Sequence, residues 1–381
     1  MTFDSVLIIA GVFLFSVLTV ALILRISRRM SWYDHINERK IHTGNIPRLG
    51  GLGFAIPFIV CTLVIILRFL DHEQGIRFLP VFFALILILI SGVRDDFKPM
   101  APRYKLIFQT GAAICVLASG YTFKRFFFTG SETSPAFPGW ELLSYPLSFL
   151  WIVGMTNAVN FIDGVDGLAG GISLLAVLTF GIVLMFLGTS STTPLLCICL
   201  AAAILGFLMF NAPFPRARIF MGDGGAYFLG FTLALFPLMG DGLGLPVLYA
   251  AAILMIPILD TTAAVWRRLR DHRRIDSPDR SHTHHKLMNL GLSSRRIDAI
   301  LFTLQAVLGV LVYAAVKTPP LLSFFLLALS YVTGIGFFTT IHFLNRGHNR
   351  ALAKASAAGF PRAGKSGGPD REPAGRESRS P

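Results

Sequence analysis

The chain has 381 residues, 54% of them apolar and only 14% charged, with a mean hydropathy of +0.64 and a net charge of +13. A soluble domain carries about 45–50% apolar and about 25% charged residues, so too few charges remain here to cover a water-exposed surface. That excludes a soluble enzyme, a disordered chain and a nucleic-acid-binding domain, despite a pI near 10.0. The composition is that of an all-α integral membrane protein.

The first apolar run begins without the basic n-region of a cleaved signal peptide, and no A-x-A-like site follows it, so it reads as a retained first span. Runs near the ~20 residues that cross a bilayer follow from end to end, at 6–24, 50–70, 78–93, 106–121, 143–160, 168–188, 193–211, 226–240, 244–265, 298–316 and 320–344. They predict a polytopic bundle of about eleven transmembrane helices. Pro57, Gly206 and Pro257 do not interrupt this reading, because neighbouring helices satisfy the freed backbone groups. With the N-terminus outside and the C-terminus cytoplasmic, 29 of the 34 Lys and Arg residues fall on the cytoplasmic side, as the positive-inside rule requires. Residues 1–345 form one polytopic unit. Residues 346–381, rich in Ala, Gly, Ser, Pro and Arg, are expected to be a disordered basic cytoplasmic tail. The four cysteines lie inside apolar runs with no metal spacing and read as small core residues.

Acids, amides and histidines collect in five segments: Asp34 and Lys40 in WYDHINERKIHTGNIPRLGG, Asp95 and Asp96 in SGVRDDFKPM, and Asn157, Asn160, Asp163 and Asp166 in NAVNFIDGVDGLAGG. Asp223 lies in RIFMGDGGAYFLGF, and His282, His284 and His285 in SPDRSHTHHKL. The threading places all five on the cytoplasmic edge. Carboxylates with an amide carbonyl are hard oxygen donors suited to Mg²⁺, which takes one or two protein carboxylates and keeps the rest of its shell for phosphate and water. Basic residues beside them suit an anionic substrate, and both signs together suit phosphoryl transfer. Each segment also has a plainer reading. The Asp95–Asp96 pair reads as a solvated helix end, and Asp163-Gly-x-Asp166-Gly and Asp223 as turns. The two asparagines beside an apolar run argue against that for the third segment, since buried amides are costly there. A zinc site on His-x-His-His lacks a fourth ligand. Asp260 and Asp298 read as helix-end caps or structural partners, outside the site.

With these five motifs in this order, residues 6–344 resemble the polyprenyl-phosphate N-acetylhexosamine-1-phosphate transferases of glycosyltransferase family 4. That superfamily includes the undecaprenyl-phosphate GlcNAc-1-phosphate transferases and phospho-MurNAc-pentapeptide translocase. The resemblance implies that a lipid phosphate, undecaprenyl phosphate, attacks the β-phosphate of a UDP-N-acetylhexosamine, with Mg²⁺ (or Mn²⁺ in its place), and that UMP leaves. It assigns Asp223 and Asn160 to the metal, Asp95 and Asp96 to the paired acids that include the base, and Asp163 and Asp166 to the nucleotide region. It assigns His282, His284 and His285 to the sugar-nucleotide, and Asp34 and Lys40 to the same cavity; Asn157 is grouped with the substrate-binding residues. It also implies a bacterial inner membrane with the site facing the cytoplasm, and it allows a homodimer. Where the family has Ser, Thr or Ala and then Gly-Ser after Met-Gly-Asp, this chain has Gly224-Gly225-Ala226, a lost hydroxyl near the expected metal ligand. The spaced His-x-His-His favours the GlcNAc branch over the translocase. The rival class, a transporter, places ionisable groups near the bilayer midplane. A CDP-alcohol phosphotransferase needs Ala-Arg and further spaced acids that DGVDGLAGG lacks.

Overall fold

The computed structural model of the chain describes residues 3–33, 46–126, 139–188, 192–212, 217–239, 244–274 and 281–357. Every regular element among them is helical: α1 (Phe3–Arg29), α2 (Leu52–Phe69), α3 (His72–Phe97), α4 (Pro102–Ala118), α5 (Trp140–Ile162), α6 (Leu168–Phe186), α7 (Thr192–Asn211), α8 (Gly222–Leu235), α9 (Val247–Ile253), α10 (Met255–Arg270), α11 (Thr283–Asn289), α12 (Ser294–Lys317) and α13 (Pro320–Ala357). A bilayer offers no partner to a free N–H or C=O, so long apolar segments close their own hydrogen bonds as helices. The chain is an all-α polytopic membrane protein.

Among the described residues, eight helices are long and apolar enough to cross a membrane, or nine spans if the bent pair α9–α10 is one of them. All eleven expected runs fall on helices, but two of those helices are short. α4 has 17 residues and α8 has 14, about 26 and 21 Å at 1.5 Å per residue against a hydrocarbon core of about 30 Å. α8 is buried from Gly224 to Leu235 and packs on α3 and α5, so protein rather than lipid surrounds it. The ninth run breaks at Leu254, where α9 and α10 meet at 88°. Pro257 has no N–H to offer the Ile253 carbonyl. Gln305 of α12, fully buried, supplies one instead, donating Nε2 at 2.9 Å.

α13 continues to Ala357. The boundary expected at 345 therefore lies inside a helix, because Arg350-Ala-Leu-Ala-Lys-Ala is made of strong helix formers. Residues 358–381 lie outside the described residues. The cysteines are free thiols, with Cys61, Cys197 and Cys199 buried in the core.

From α3 to α8 the helix ends come together in two sets. At one end Arg77 of α3 donates to the Ser119 carbonyl after α4, Trp140 of α5 to Phe123, and Thr193 of α7 to Met239 after α8. The other end collects the C-termini of α3, α5 and α7 with the N-termini of α4, α6 and α8. The polar motifs meet there.

Candidate active site

The first turn of α8 leaves backbone N–H groups without helical partners. Asp96, in the last turn of α3, takes two of them: Oδ1 accepts from the Asp223 N–H at 2.9 Å and Oδ2 from the Gly224 N–H at 3.0 Å. Its side chain is 3% exposed, with Arg48 Nε 3.7 Å from Oδ1. Gly222 enters the turn at φ 77°, and a Cβ there would collide with the Arg48 carbonyl. At Gly224 a Cβ would stand 3.0 Å from both Asp96 Oδ2 and Val93 N. The missing Ser or Thr at that position thus coincides with a carboxylate seated directly on the backbone.

Asp95 points elsewhere. Its Oδ1 accepts from the Met100 N–H at 2.6 Å and its Oδ2 pairs with Lys105 Nζ of α4. The same ammonium donates to the Tyr227 hydroxyl at 3.2 Å and lies 4.0 Å from Asp223 Oδ2. Asp223 Oδ1 accepts from Asn160 Nδ2, in the last turn of α5, at 2.9 Å. The Asp95 side chain is 2% exposed and that of Asp223 38%, so Asp223 is the open carboxylate of the group. The donor set on offer is the Asp223 carboxylate with the Asn160 amide beside it, and no group of three His, Cys, Asp or Glu among the described residues is arranged to hold a metal. Few hard oxygen donors facing an opening fit Mg²⁺ and do not fit zinc.

Asp163 caps the C-terminus of α5, and its carboxyl has no hydrogen-bond partner among the described residues. Burial, reinforced by the negative charges of Asp223, Asp96 and Asp166, pushes its pKa up to about 8. A cation at Asp223 would draw the value down again. Asp166 is turned to the backbone, its Oδ2 accepting from the Ala217 N–H at 3.0 Å. Asn211 ties the same loop down, accepting from the Gly167 N–H and donating to the Ile219 carbonyl. Asn157 pairs with Gln109 of α4, each amide donating to the other, and also donates to the Val153 carbonyl.

His282, His284 and His285 open α11. His282 Nδ1 lies 2.6 Å from Asp260 Oδ2. The His284 ring lies over Gly164, where a Cβ would stand 2.5 Å from Nε2, and this joins the histidine segment to the Asp163 loop. Burial, with His285 beside it, lowers the His284 pKa to about 4, so its imidazole is neutral at physiological pH. Gly164→Ala should push this ring aside and, for the sugar-nucleotide transfer that the sequence resemblance implies, raise the KM for the nucleotide roughly tenfold with little change in kcat. An unchanged KM in a steady-state titration would show that His284 does not need its seat on Gly164.

Asp34 and Lys40 lie outside the described residues. Of the others, Asp95, Asp96, Asp223 and Asn160 form one group and the histidines an adjoining one, with Asp163 and Gly164 between them, whereas Asn157 and Asp166 are engaged outside both, with Gln109 and the Ala217 backbone. Lys105, Arg48, Tyr227 and Asp260 join them without having been singled out as site residues. A single lysine or tyrosine at a membrane edge carries no pattern, and only a tertiary contact distinguishes it from the other basic residues of that face.

The family profile of glycosyl transferase family 4 matches residues 78–241. Three relatives illustrate the similarity. A probable undecaprenyl-phosphate N-acetylglucosaminyl 1-phosphate transferase of Bacillus subtilis (strain 168) is 33% identical over 314 residues, 78% of this chain and 82% of that protein. The undecaprenyl-phosphate alpha-N-acetylglucosaminyl 1-phosphate transferase of Escherichia coli (strain K12) is 31% identical over 307 residues, 78% of this chain and 80% of its own length. Its namesake in Yersinia pestis is 30% identical over 307 residues, with the same coverage. Identity at that level across more than three quarters of both chains shows the family, and the chain belongs to glycosyl transferase family 4.

Proposed function

We propose that this protein transfers GlcNAc-1-phosphate from UDP-GlcNAc to undecaprenyl phosphate, releasing UMP and leaving a lipid-linked pyrophosphoryl sugar. The observation that carries the reading is the convergence of Asp95, Lys105, Asp223 and Asn160 from four helices on one end of the bundle. Both signs of charge meet there at a helix-end opening, whereas a transporter would hold them near the midplane. The relatives' names supply the sugar and the lipid.

In this reading an oxygen of the lipid phosphate attacks the β-phosphorus of UDP-GlcNAc, and the bond from that phosphorus to the UMP oxygen breaks. Lys105, held between Asp95 and Asp223, places a fixed positive charge beside the phosphates, and charge placement is the largest contribution a site of this kind makes. Asp95 pairs with that ammonium, and the family resemblance makes it the acid of the pair that would take a proton from the incoming phosphate. Asp96 holds the first turn of α8 so that Asp223 faces the opening. Asp223 and Asn160 would hold Mg²⁺, which when bound supplies further neutralisation of the diphosphate. His284, as a neutral imidazole, hydrogen-bonds the sugar-nucleotide next to Asp163.

The threading that goes with this function is eleven spans in a bacterial inner membrane, with the N-terminus outside and the site facing the cytosol, where UDP-sugars are made. Arg273→Cys, in an exposed stretch between α10 and α11, should react with an impermeant thiol reagent only after the inner face is opened. Ser131→Cys should react in intact cells. Reversed labelling would separate the site from the cytosolic nucleotide pool and overturn the orientation.

The direct test is to incubate membranes carrying the protein with radiolabelled UDP-GlcNAc and undecaprenyl phosphate. Stoichiometric UMP and a lipid-extractable labelled pyrophosphate are expected. Competition by other UDP-N-acetylhexosamines then ranks the sugars. Uptake of label into vesicles without a lipid product would establish a transporter instead.

A further inference from the structure

A carboxylate 3% exposed inside a membrane protein persists only with firm partners. Asp260 of α10 has three. Its Oδ1 accepts from the Thr283 N–H and from the Thr283 hydroxyl, both at 2.7 Å, while its Oδ2 faces His282 Nδ1 at 2.6 Å. The two oxygens are therefore divided. One caps the start of α11, and the other has His282 as its only hydrogen-bond partner among the described residues. Twenty-two residues separate Asp260 from His282, and the 88° turn at Leu254 swings α10 to where they meet.

The His282 ring is enclosed on other sides as well. Phe161, which follows Asn160 at the end of α5, has its ring centroid 5.7 Å away, and the His284 ring lies parallel at 6.0 Å. Nε2 makes no hydrogen bond among the described residues. In an imidazole the partner of one nitrogen decides what the other can do.

We propose that Asp260 is a positioning residue that acts through His282: it commits Nδ1–H to the protein and leaves Nε2 as the nitrogen offered to the UDP-sugar. The proposal rests on the transferase reading for its substrate. Its structural half, the Nδ1–H tautomer imposed by Asp260, stands without it. Asp260 is 3% exposed and both its oxygens are taken, so its effect must travel through the ring.

Two measurements test it. In mildly alkaline buffer, nitrogen-15 solid-state spectra of histidine-labelled protein in lipid should show His282 protonated at Nδ1 and bare at Nε2, the signals being identified by their loss in His282→Gln. A wild-type ring bare at Nδ1 overturns the proposal, and this arm needs neither substrate nor a folded Asp260 variant. The second arm is a double-mutant cycle on UDP-GlcNAc turnover with protein amounts matched. Asp260→Asn keeps an acceptor for the Thr283 N–H but cannot hold the ring as a carboxylate does. Asp260→Asn and His282→Gln should each lower kcat/KM roughly tenfold to a hundredfold, chiefly through KM, the range for a hydrogen bond to a charged group. The double variant should be no worse than the poorer single one. Effects that multiply in the double variant would mean that Asp260 acts only as the cap of α11. If wild-type membranes yield no lipid-linked product, the transferase reading fails and the tautomer alone decides the role of Asp260.

Discussion

Asp223→Asn should leave a folded protein whose turnover at low millimolar Mg²⁺ falls at least about 10²-fold, the scale of losing one well-placed charge-stabilising group. Activity should return in part as Mg²⁺ is raised. The substitution keeps an oxygen donor but removes the charge that draws in a reluctantly dehydrating cation. Asp223 is the acid of the group that opens outward, with one oxygen already held by Asn160, so no other carboxylate beside it among the described residues is as free to replace it. Asn160→Ala should shift the Mg²⁺ requirement in the same direction but less, because an amide carries no formal charge. Asp163→Asn should act mainly through the KM for UDP-GlcNAc. A Mg²⁺ titration of UMP release at saturating lipid phosphate measures all three. An Asp223→Asn enzyme that is active with the wild-type Mg²⁺ dependence would return Asp223 to a turn residue.

The paired acids should fail in different ways. Asp95→Asn should lower kcat by at least about 10²-fold, the lower end for losing general acid–base help, and cost less thermal stability than Asp96→Asn: the amide oxygen can still accept from the Met100 N–H, and although its NH₂ then faces the Lys105 ammonium, that group is 24% exposed and keeps Tyr227 and Asp223 beside it. Asp96→Asn should lower kcat comparably and also destabilise the protein by about 2 kcal/mol. Both oxygens of Asp96 accept from the first turn of α8, and an asparagine must turn its NH₂ toward one of those N–H groups. The two effects are separated by turnover together with a melting curve in detergent. Equal melting of both variants would mean that the cap on α8 is not what Asp96 contributes, and wild-type turnover in both would make the pair a purely structural one, buried but outside the chemistry.

Much of this was already legible in the linear chain. Composition and hydropathy determine the class, because lipid leaves a polypeptide only helices with which to satisfy its backbone. The same patterning shows which segments reach one edge of the membrane, and the five motifs carry the family. Elsewhere the sequence allowed several outcomes. Asp95 and Asp96 are adjacent and look equivalent, but successive helical residues point about 100° apart. One therefore meets Lys105 and the other the backbone of α8. Lys105 and Tyr227, 122 residues apart, share no local signal at all. Asp260 looked like an ordinary helix-end residue, and Pro257 like a tolerated proline. Only the turn at Leu254, stabilised by Gln305 from a later helix, brings that acid to His282. Local composition selects helix and membrane because each segment answers to the lipid by itself. The partner of each charge is decided by packing between helices, since a bare carboxylate in that interior has to find its donors wherever the fold brings them.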